Sequence, residues 1–304
     1  MDPLKQVDFS RDSTVSIIYS LKNKADIKLI HDDSLICDSS NIFGVISNLK
    51  INSLSKADYT LTKSRRINLN KLDCILFRKD PPVDHKYIAE LQIFRELQYQ
   101  KTLVLNSPES LIRFNEKILG CVLSDTKLPT IVSCNKKAIR SFLDLHNCVV
   151  LKPINLMGGR GIIKLTKSKD AIEVIDQYIK NYKVIIAQKY LSEIKNGDNR
   201  IIIYNGKIEE NVLTRYPPKG DFIANLANGG EFKITKIKKK FLPKLKHIAS
   251  FLKYHGIFFA GVDMIGDHIT EINITSPTGV QQIKKGLSRR IATELLKEIN
   301  NYYV

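Results

Sequence analysis

Two groups of residues in this chain combine types and spacings suited to handling a phosphate chain and a divalent cation. The first is the loop Asn155-Leu156-Met157-Gly158-Gly159-Arg160-Gly161, which follows Leu151-Lys152-Pro153. Lacking Cβ atoms, Gly158, Gly159 and Gly161 let main-chain N–H groups approach an anion, and the Lys152 ammonium can meet the same phosphates. The loop is neither a Walker A sequence nor a dinucleotide fingerprint opening a helix. A glycine-rich hairpin turn without a ligand fits the same residues. The second group is Asp263, Glu271 and Asn273. On a strand Glu271 and Asn273 share a face, with Thr270, Ile272 and Ile274 in the opposite layer. A three-residue connection, Gly266-Asp267-His268, sets Asp263 opposite Glu271, whereas a two-residue turn sends it to the other face. Three oxygen donors together suit Mg²⁺, which usually keeps several non-protein ligands. A solvated strand face is the alternative, disfavoured because neighbouring acids without a cation repel.

Weaker signals surround these groups. Val184–Leu191 is an apolar strand ending in Gln188-Lys189-Tyr190-Leu191, whose backbone could bond a purine edge. By itself it is only a strand end. Arg78, Lys79, Lys117, Arg200 and Arg215 are scattered cations, and a lone arginine is usually a surface ion pair of little worth.

The elements that must position these residues fall into two patterns. Up to about residue 106, helices over 12–23 and 84–99 alternate with strands over 27–30, 73–79 and 102–106, as in a parallel, layered α/β unit. Ser107-Pro108-Glu109 opens a further helix expected to end near Gly120. Beyond it, strands over 148–153, 161–165, 184–190, 200–205 and 207–213 read as an α+β domain, with helices over 168–180, 240–255 and 287–302. Asn205-Gly206 marks a hairpin, since both residues tolerate positive φ.

Composition removes other classes. At 304 residues the chain has the length of about two domains and needs no disulfide staples. With 43% hydrophobic residues and 26% charged, it is neither disordered nor collagenous. No apolar run approaches the roughly 18 residues of a membrane span, and the first residues lack the pattern of a secretory signal. The five cysteines form no ligand-spaced set, which fits a reducing cytoplasm. A net charge of +17 invites a nucleic-acid reading, but the lysines are spread along the chain, so nucleic acid is not the expected partner.

Taken in order, Lys117, Lys152, the glycine hairpin, the strand end and the late acid-acid-Asn set resemble the ATP-grasp superfamily. Within it, RKDPPVD at 78–84, NEK at 115–117, LKP at 151–153, MGG at 157–159, GDNR at 197–200, NLANGG at 225–230 and EINITSPTG at 271–279 are similar to bacterial glutathione synthetases along nearly the whole chain. The resemblance implies a Rossmann-like pre-ATP-grasp α/β domain over 1–115 and an α+β ATP-grasp domain over 116–304. The latter divides into a nucleotide-binding part (116–190) and a metal and substrate part (191–304) with a lid at 215–230. It implies that Lys117 and Lys152 hold ATP phosphates, that Gly158 and Gly159 cover them, and that Gln188, Lys189, Tyr190 and Leu191 line the adenine pocket. By the same resemblance Asp263, Glu271 and Asn273 bind two Mg²⁺, replaceable by Mn²⁺. Arg200, Arg215 and Asn225 serve the acyl phosphate, and Arg78, Ser276, Pro277 and Thr278 lie at the substrate end.

The implied reaction joins γ-glutamylcysteine to glycine at the cost of ATP in a cytoplasmic homo-oligomer. Another ATP-grasp carboxylate–amine ligase, or a non-catalytic nucleotide or nucleic-acid binder of the same fold, are the alternatives. Two departures touch the lid: Ile223 stands where relatives tend to carry arginine, and Glu231 where a basic residue often follows the glycines. A third is at the start, where relatives carry a short apolar strand before Met1-Asp2-Pro3. Either the start is assigned late or the strand is absent, leaving an open sheet edge.

Overall fold

The computed structural model describes residues 1–39, 41–55, 57–123, 128–224 and 230–304. In the N-terminal part, α1 (Ser13–Ser20) is capped by Asp12, whose carboxylate accepts from Val15 N–H at 2.7 Å. Strands β1 (Lys28–Ile30), β2 (Ile36–Asp38), β3 (Asn41–Ser53), β4 (Asp58–Leu61) and β5 (Arg65–Asn68) follow. All the others pair antiparallel with the long β3. This antiparallel sheet was not anticipated beyond the strand at 27–30. The parallel unit expected from alternating strands and helices consists of β6 (Cys74–Leu76) and β7 (Leu103–Leu105), joined across α2 (His85–Tyr99).

The helix expected from Ser107 to Gly120 is instead two, α3 (Pro108–Arg113) and α4 (Glu116–Val122). Asn115 breaks it: in extended conformation, its side-chain oxygen accepts from Lys117 and Ile118 N–H and starts a new helix. The cap places Glu116 and Lys117 in the first turn of α4, and α4 lies directly on a strand that carries Glu271. A Cβ on Gly120 would come within 3.0 Å of the Glu271 Cα.

Next comes a four-stranded antiparallel sheet in the order β10 (Ile163–Thr166), β9 (Cys148–Pro153), β11 (Ile185–Lys189), β8 (Thr130–Ser133). Helices α5 (Lys136–His146) and α6 (Ala171–Tyr182) cover one face through fully buried Ile139, Leu143, Val149, Leu151, Ile175 and Ile185. A second sheet holds β12 (Asp198–Tyr204), β13 (Lys207–Ile208), β14 (Asn211–Tyr216), β15 (Glu231–Lys236), β16 (Phe259–Ile265) and β17 (His268–Asn273), packed on α7 (Leu242–Tyr254), α8 (Val280–Ile283) and α9 (Leu287–Tyr302). The single strand expected over 207–213 is split at buried Glu209, whose carboxylate turns inward to bond Asn211 and Arg290. Among the described residues no helix is long and apolar enough to cross a membrane.

The β16–β17 connection corrects the sequence argument. Ile265 pairs with His268, so the turn has two residues, Gly266 and Asp267, the choice expected to separate Asp263 from Glu271. A β-bulge restores the register: beyond Met264↔Ile269 one residue of β17 is skipped, and Asp263 pairs with Glu271. The extra residue, Thr270, was expected in the opposite layer but borders the cavity described next, while Ile269 enters the core.

Candidate active site

A cavity of about 670 Å³ opens between the two large sheets and the N-terminal segment, a size suited to a small-molecule site. Lys152 on β9 and Glu271 on β17 both line it. So do Gly158 and Gly159 from the glycine loop, Gln188 to Leu191 from the end of β11, and Ser276 to Thr278 beyond β17. Gly158 and Gly159 adopt φ values of 68° and 78°, which exposes their backbone to the cavity without strain.

Beside the glycine loop, two lysines are anchored differently. Lys152 Nζ donates to Gln188 Oε1 at 2.8 Å, and Gln188 Nε2 donates to Thr130 Oγ1 at 3.1 Å. The Gln188 side chain thus bonds the lysine, while Gln188 also lines the cavity with Lys189, Tyr190 and Leu191. Desolvation by the cavity walls pushes the Lys152 ammonium below its usual range, partly offset by Glu271. Lys117 is buried beneath the cavity wall, its Nζ donating to Leu156 O at 2.6 Å and lying 3.3 Å from Glu271 Oε1. It ties the glycine loop to the acid strand.

On the floor, Arg200 donates to both oxygens of Asp263, from Nη2 at 2.8 Å, and Arg215 reaches Asp198 as well as Asp263, the latter at 3.1 Å. Burial alone would raise Asp263, but the two guanidiniums outweigh it and hold this carboxyl at about 2. Asp198 was missed from the sequence, although it lies two residues before Arg200 on one strand and hence on the same face. Its Oδ1 and the Arg215 Nε are buried without a hydrogen-bond partner among the described residues.

Asn273 Nδ2 donates to Asp263 Oδ2 at 3.1 Å and to Gly261 O at 3.3 Å, so its amide oxygen is the atom left to meet a cation. The Glu271 carboxylate and the Asn273 amide oxygen, on one sheet face, are donors that fit Mg²⁺, whereas both Asp263 oxygens already accept from Arg200, Arg215 or Asn273. Among the described residues no three acids, histidines or cysteines form a cage alone.

The far end carries apolar side chains. Tyr190 stacks under Lys164 Nζ (3.8 Å) and edge-on to Phe222 (6.4 Å between ring centroids), and Phe222, Ile223 and Ala224 border the cavity. Arg215 itself is on β14 rather than on the connection, whose ends are paired at Tyr216↔Glu231. Asn225 lies outside the described residues.

Arg78 does not line the cavity. Its donors go to Thr14 Oγ1 (3.2 Å), Thr275 O (3.3 Å) and Pro277 O (2.9 Å), and its guanidinium stacks 4.7 Å from the Phe259 ring centroid. The charged residues from the N-terminal part that do face the cavity are Asp2, Asp8, Arg11, Asp12 and Asp80. Isolated acids in a loop gave no signal of this.

Comparison with known proteins gives the family. The family described as "Prokaryotic glutathione synthetase, N-terminal domain" matches residues 1–112, and "Prokaryotic glutathione synthetase, ATP-grasp domain" matches residues 116–287. The glutathione synthetase of Wigglesworthia glossinidia brevipalpis is 35% identical over 303 residues, 98% of this chain and 95% of that protein. The glutathione synthetase of Buchnera aphidicola subsp. Schizaphis graminum is 34% identical over 293 residues, 95% and 92% of the two chains. Among solved structures, D-cycloserine synthetase DcsG superposes with a TM-score of 0.61 at 13% identity, covering 77% of this chain and 86% of that one, a likeness of fold alone. The chain thus belongs to the prokaryotic glutathione synthetase family and carries its N-terminal domain followed by its ATP-grasp domain.

Proposed function

We propose that the cavity joins the C-terminal carboxylate of γ-glutamylcysteine to the amine of glycine, forming glutathione, ADP and phosphate through an acyl phosphate. The observation that carries this reading is the convergence, in one cavity, of Lys152 and the glycine loop with Arg200, Arg215 and the Asp263-Glu271-Asn273 face. A carboxylate oxygen of the dipeptide attacks the γ-phosphorus of ATP and ADP leaves. The glycine nitrogen then attacks the acyl carbon, and the C–O bond to phosphate breaks, so phosphate departs with one oxygen of the former carboxylate.

Phosphoryl transfer needs alignment and charge neutralisation more than a covalent side chain. Lys152, aimed by Gln188, would hold the ATP phosphates, and Lys117 would keep the glycine loop against the acid strand. Arg200 and Arg215 would receive the charge developing on the acyl phosphate. Asp263, Glu271 and Asn273 would hold two Mg²⁺, or Mn²⁺ in their place, which neutralise the triphosphate when bound. Tyr190 and Leu191 would flank the adenine, and the connection from 217 to 230 would exclude water.

In the same proposal residues 1–115 supply the substrate end, and the enzyme works as a homo-oligomer in a reducing compartment, consistent with its five free cysteines. The test is phosphate release from ATP, Mg²⁺ and γ-glutamylcysteine with glycine, alanine, glutamate or no acceptor. Release that depends on glycine is expected. Release with another acceptor in preference, or with none, overturns the assignment.

A further inference from the structure

Ile274 to Pro277, immediately beyond Asn273, lead into the cavity wall formed by Thr275 to Gly279. Ordinarily such an exit from a sheet would exchange its backbone hydrogen bonds with water or with a neighbouring strand. Here three buried side chains take them. Glu116 Oε1 accepts from Ile274 N–H (2.6 Å), Thr275 N–H (2.8 Å) and the Thr275 hydroxyl (2.9 Å). Asn106 Nδ2 donates to Ile274 O at 2.6 Å and to Phe259 O at 2.8 Å, while its Oδ1 accepts from Phe259 N–H at 2.9 Å. Arg78 covers Thr275 O and Pro277 O. Every backbone donor and acceptor of Ile274 and Thr275 is thereby held by a side chain from outside the second sheet.

These side chains are 4% (Arg78), 3% (Asn106) and 8% (Glu116) exposed, so water cannot replace the bonds when one is lost. A carboxylate, an amide and a guanidinium this enclosed are costly to bury unless they are bonded in full. In Glu116 the burial pushes the carboxyl up, and the charge of Glu271 adds to it, while the Thr275 bonds and Lys117 oppose. Arg78 comes from beyond β6, Asn106 from the end of β7, and Glu116 from the first turn of α4. They approach the segment from three directions. Glu116 is also the neighbour of Lys117, so the same helical turn grips both the Glu271 carboxylate and the strand exit.

We infer that Arg78, Asn106 and Glu116 are positioning residues for the dipeptide end of the cavity: together they fix Ser276, Pro277 and Thr278 against the site where the substrate carboxylate must lie. This assignment rests on the ligase reading for its substrate but not for its geometry. The three act through the segment they hold: Arg78, which the sequence resemblance places at the substrate, and Asn106 do so from behind it, and Glu116 from a place that also borders the cavity.

The experiment uses the full chain with Asn106→Ala, Glu116→Ala and Glu116→Gln, and with Glu209→Ala as a control that removes a buried carboxylate bonded to Asn211 and Arg290 away from the cavity. Steady-state constants are measured below the unfolding midpoint of each variant, alongside amide hydrogen exchange at Ile274 and Thr275. The two alanine variants near the cavity should raise KM for γ-glutamylcysteine about tenfold with KM for ATP changed by less than about twofold. Glu116→Gln, which keeps an accepting oxygen, should recover most of that loss. Glu209→Ala should lower Tm with both KM values unchanged. Exchange at Ile274 and Thr275 should accelerate at least about tenfold in Glu116→Ala and little in Glu116→Gln.

Exchange unaltered in Glu116→Ala, or KM values for ATP and dipeptide rising in parallel, overturns the inference. Should the parent enzyme show no glycine-dependent turnover, the ligase reading fails, and the exchange result alone decides whether the three residues hold the segment.

Discussion

On the cavity floor Arg200 and Arg215 are bonded to Asp198 and Asp263, whereas at the N-terminal end Asp2, Asp12 and Asp80 crowd around Arg78, whose donors are spent on Thr14, Thr275 and Pro277. The same residue types behave differently in the two places. Asp263 is held at about 2 because two guanidiniums overcome its desolvation. Asp80 is pushed up to about 6, first by burial and then by the charge of Asp2. Burial also raises Asp12. Asp198, bonded by Arg215, is also pushed up to about 6 by burial, so it is the pair of guanidiniums on Asp263, rather than the floor as a whole, that keeps a buried acid low. Two guanidiniums thus make Asp263 the charged centre of the floor, whereas at the N-terminal end the arginine is spent on backbone carbonyls.

The largest test of that contrast is Glu271→Gln, which removes one donor charge from the floor while keeping shape. Turnover should fall by about 10²- to 10³-fold with far-ultraviolet circular dichroism unchanged. Near-normal turnover would remove the metal role. Arg200→Lys should come next. A lysine cannot bond both Asp263 oxygens, so kcat/KM should drop by about 10- to 100-fold, read from initial rates. Gln188→Leu leaves the Lys152 ammonium unaimed but present, and KM for ATP should rise about three- to tenfold with KM for the dipeptide unchanged.

The smallest effect belongs to the other end. Because the folded-state pKa of Asp80 is raised above its unfolded value near 3.9, its contribution to stability is fully present below that value and is lost as pH rises through about 6. Asp80→Asn should accordingly have a Tm a few degrees above the parent at pH 7 to 8, the gap closing below about pH 4. An equal gap at all pH values would mean that the carboxyl carries no buried charge.

These contrasts also mark what the amino-acid order could reveal. Cys148–Pro153, buried at every second residue, and Ile185–Lys189, buried at four residues in a row, were legible as short apolar runs bounded by polar residues. The glycine loop and the acid-acid-Asn spacing were legible because few residue types serve those tasks. The bulge at Thr270 was not, since it depends on how two strands settle against α4, and the right pairing of Asp263 with Glu271 was reached through the wrong turn. The antiparallel sheet around Asn41–Ser53 was missed because the buried side changes at Ile46-Ser47, from Ile42 and Ile46 to Leu49 and Ile51, and because Gly44 and Ser47 among its buried residues are not apolar side chains. The placement of Arg78 behind the substrate wall follows from contacts some 200 residues away in sequence, with Thr275 and Pro277, which no local pattern encodes.

The central claim is that this cavity phosphorylates a carboxylate before an amine displaces the phosphate. It is tested most directly with γ-glutamylcysteine carrying ¹⁸O in its C-terminal carboxylate, followed by mass spectrometry of the phosphate released with ATP, Mg²⁺ and glycine. The account predicts one ¹⁸O atom in each phosphate formed per turnover. Phosphate without label, released while glutathione accumulates, would contradict it.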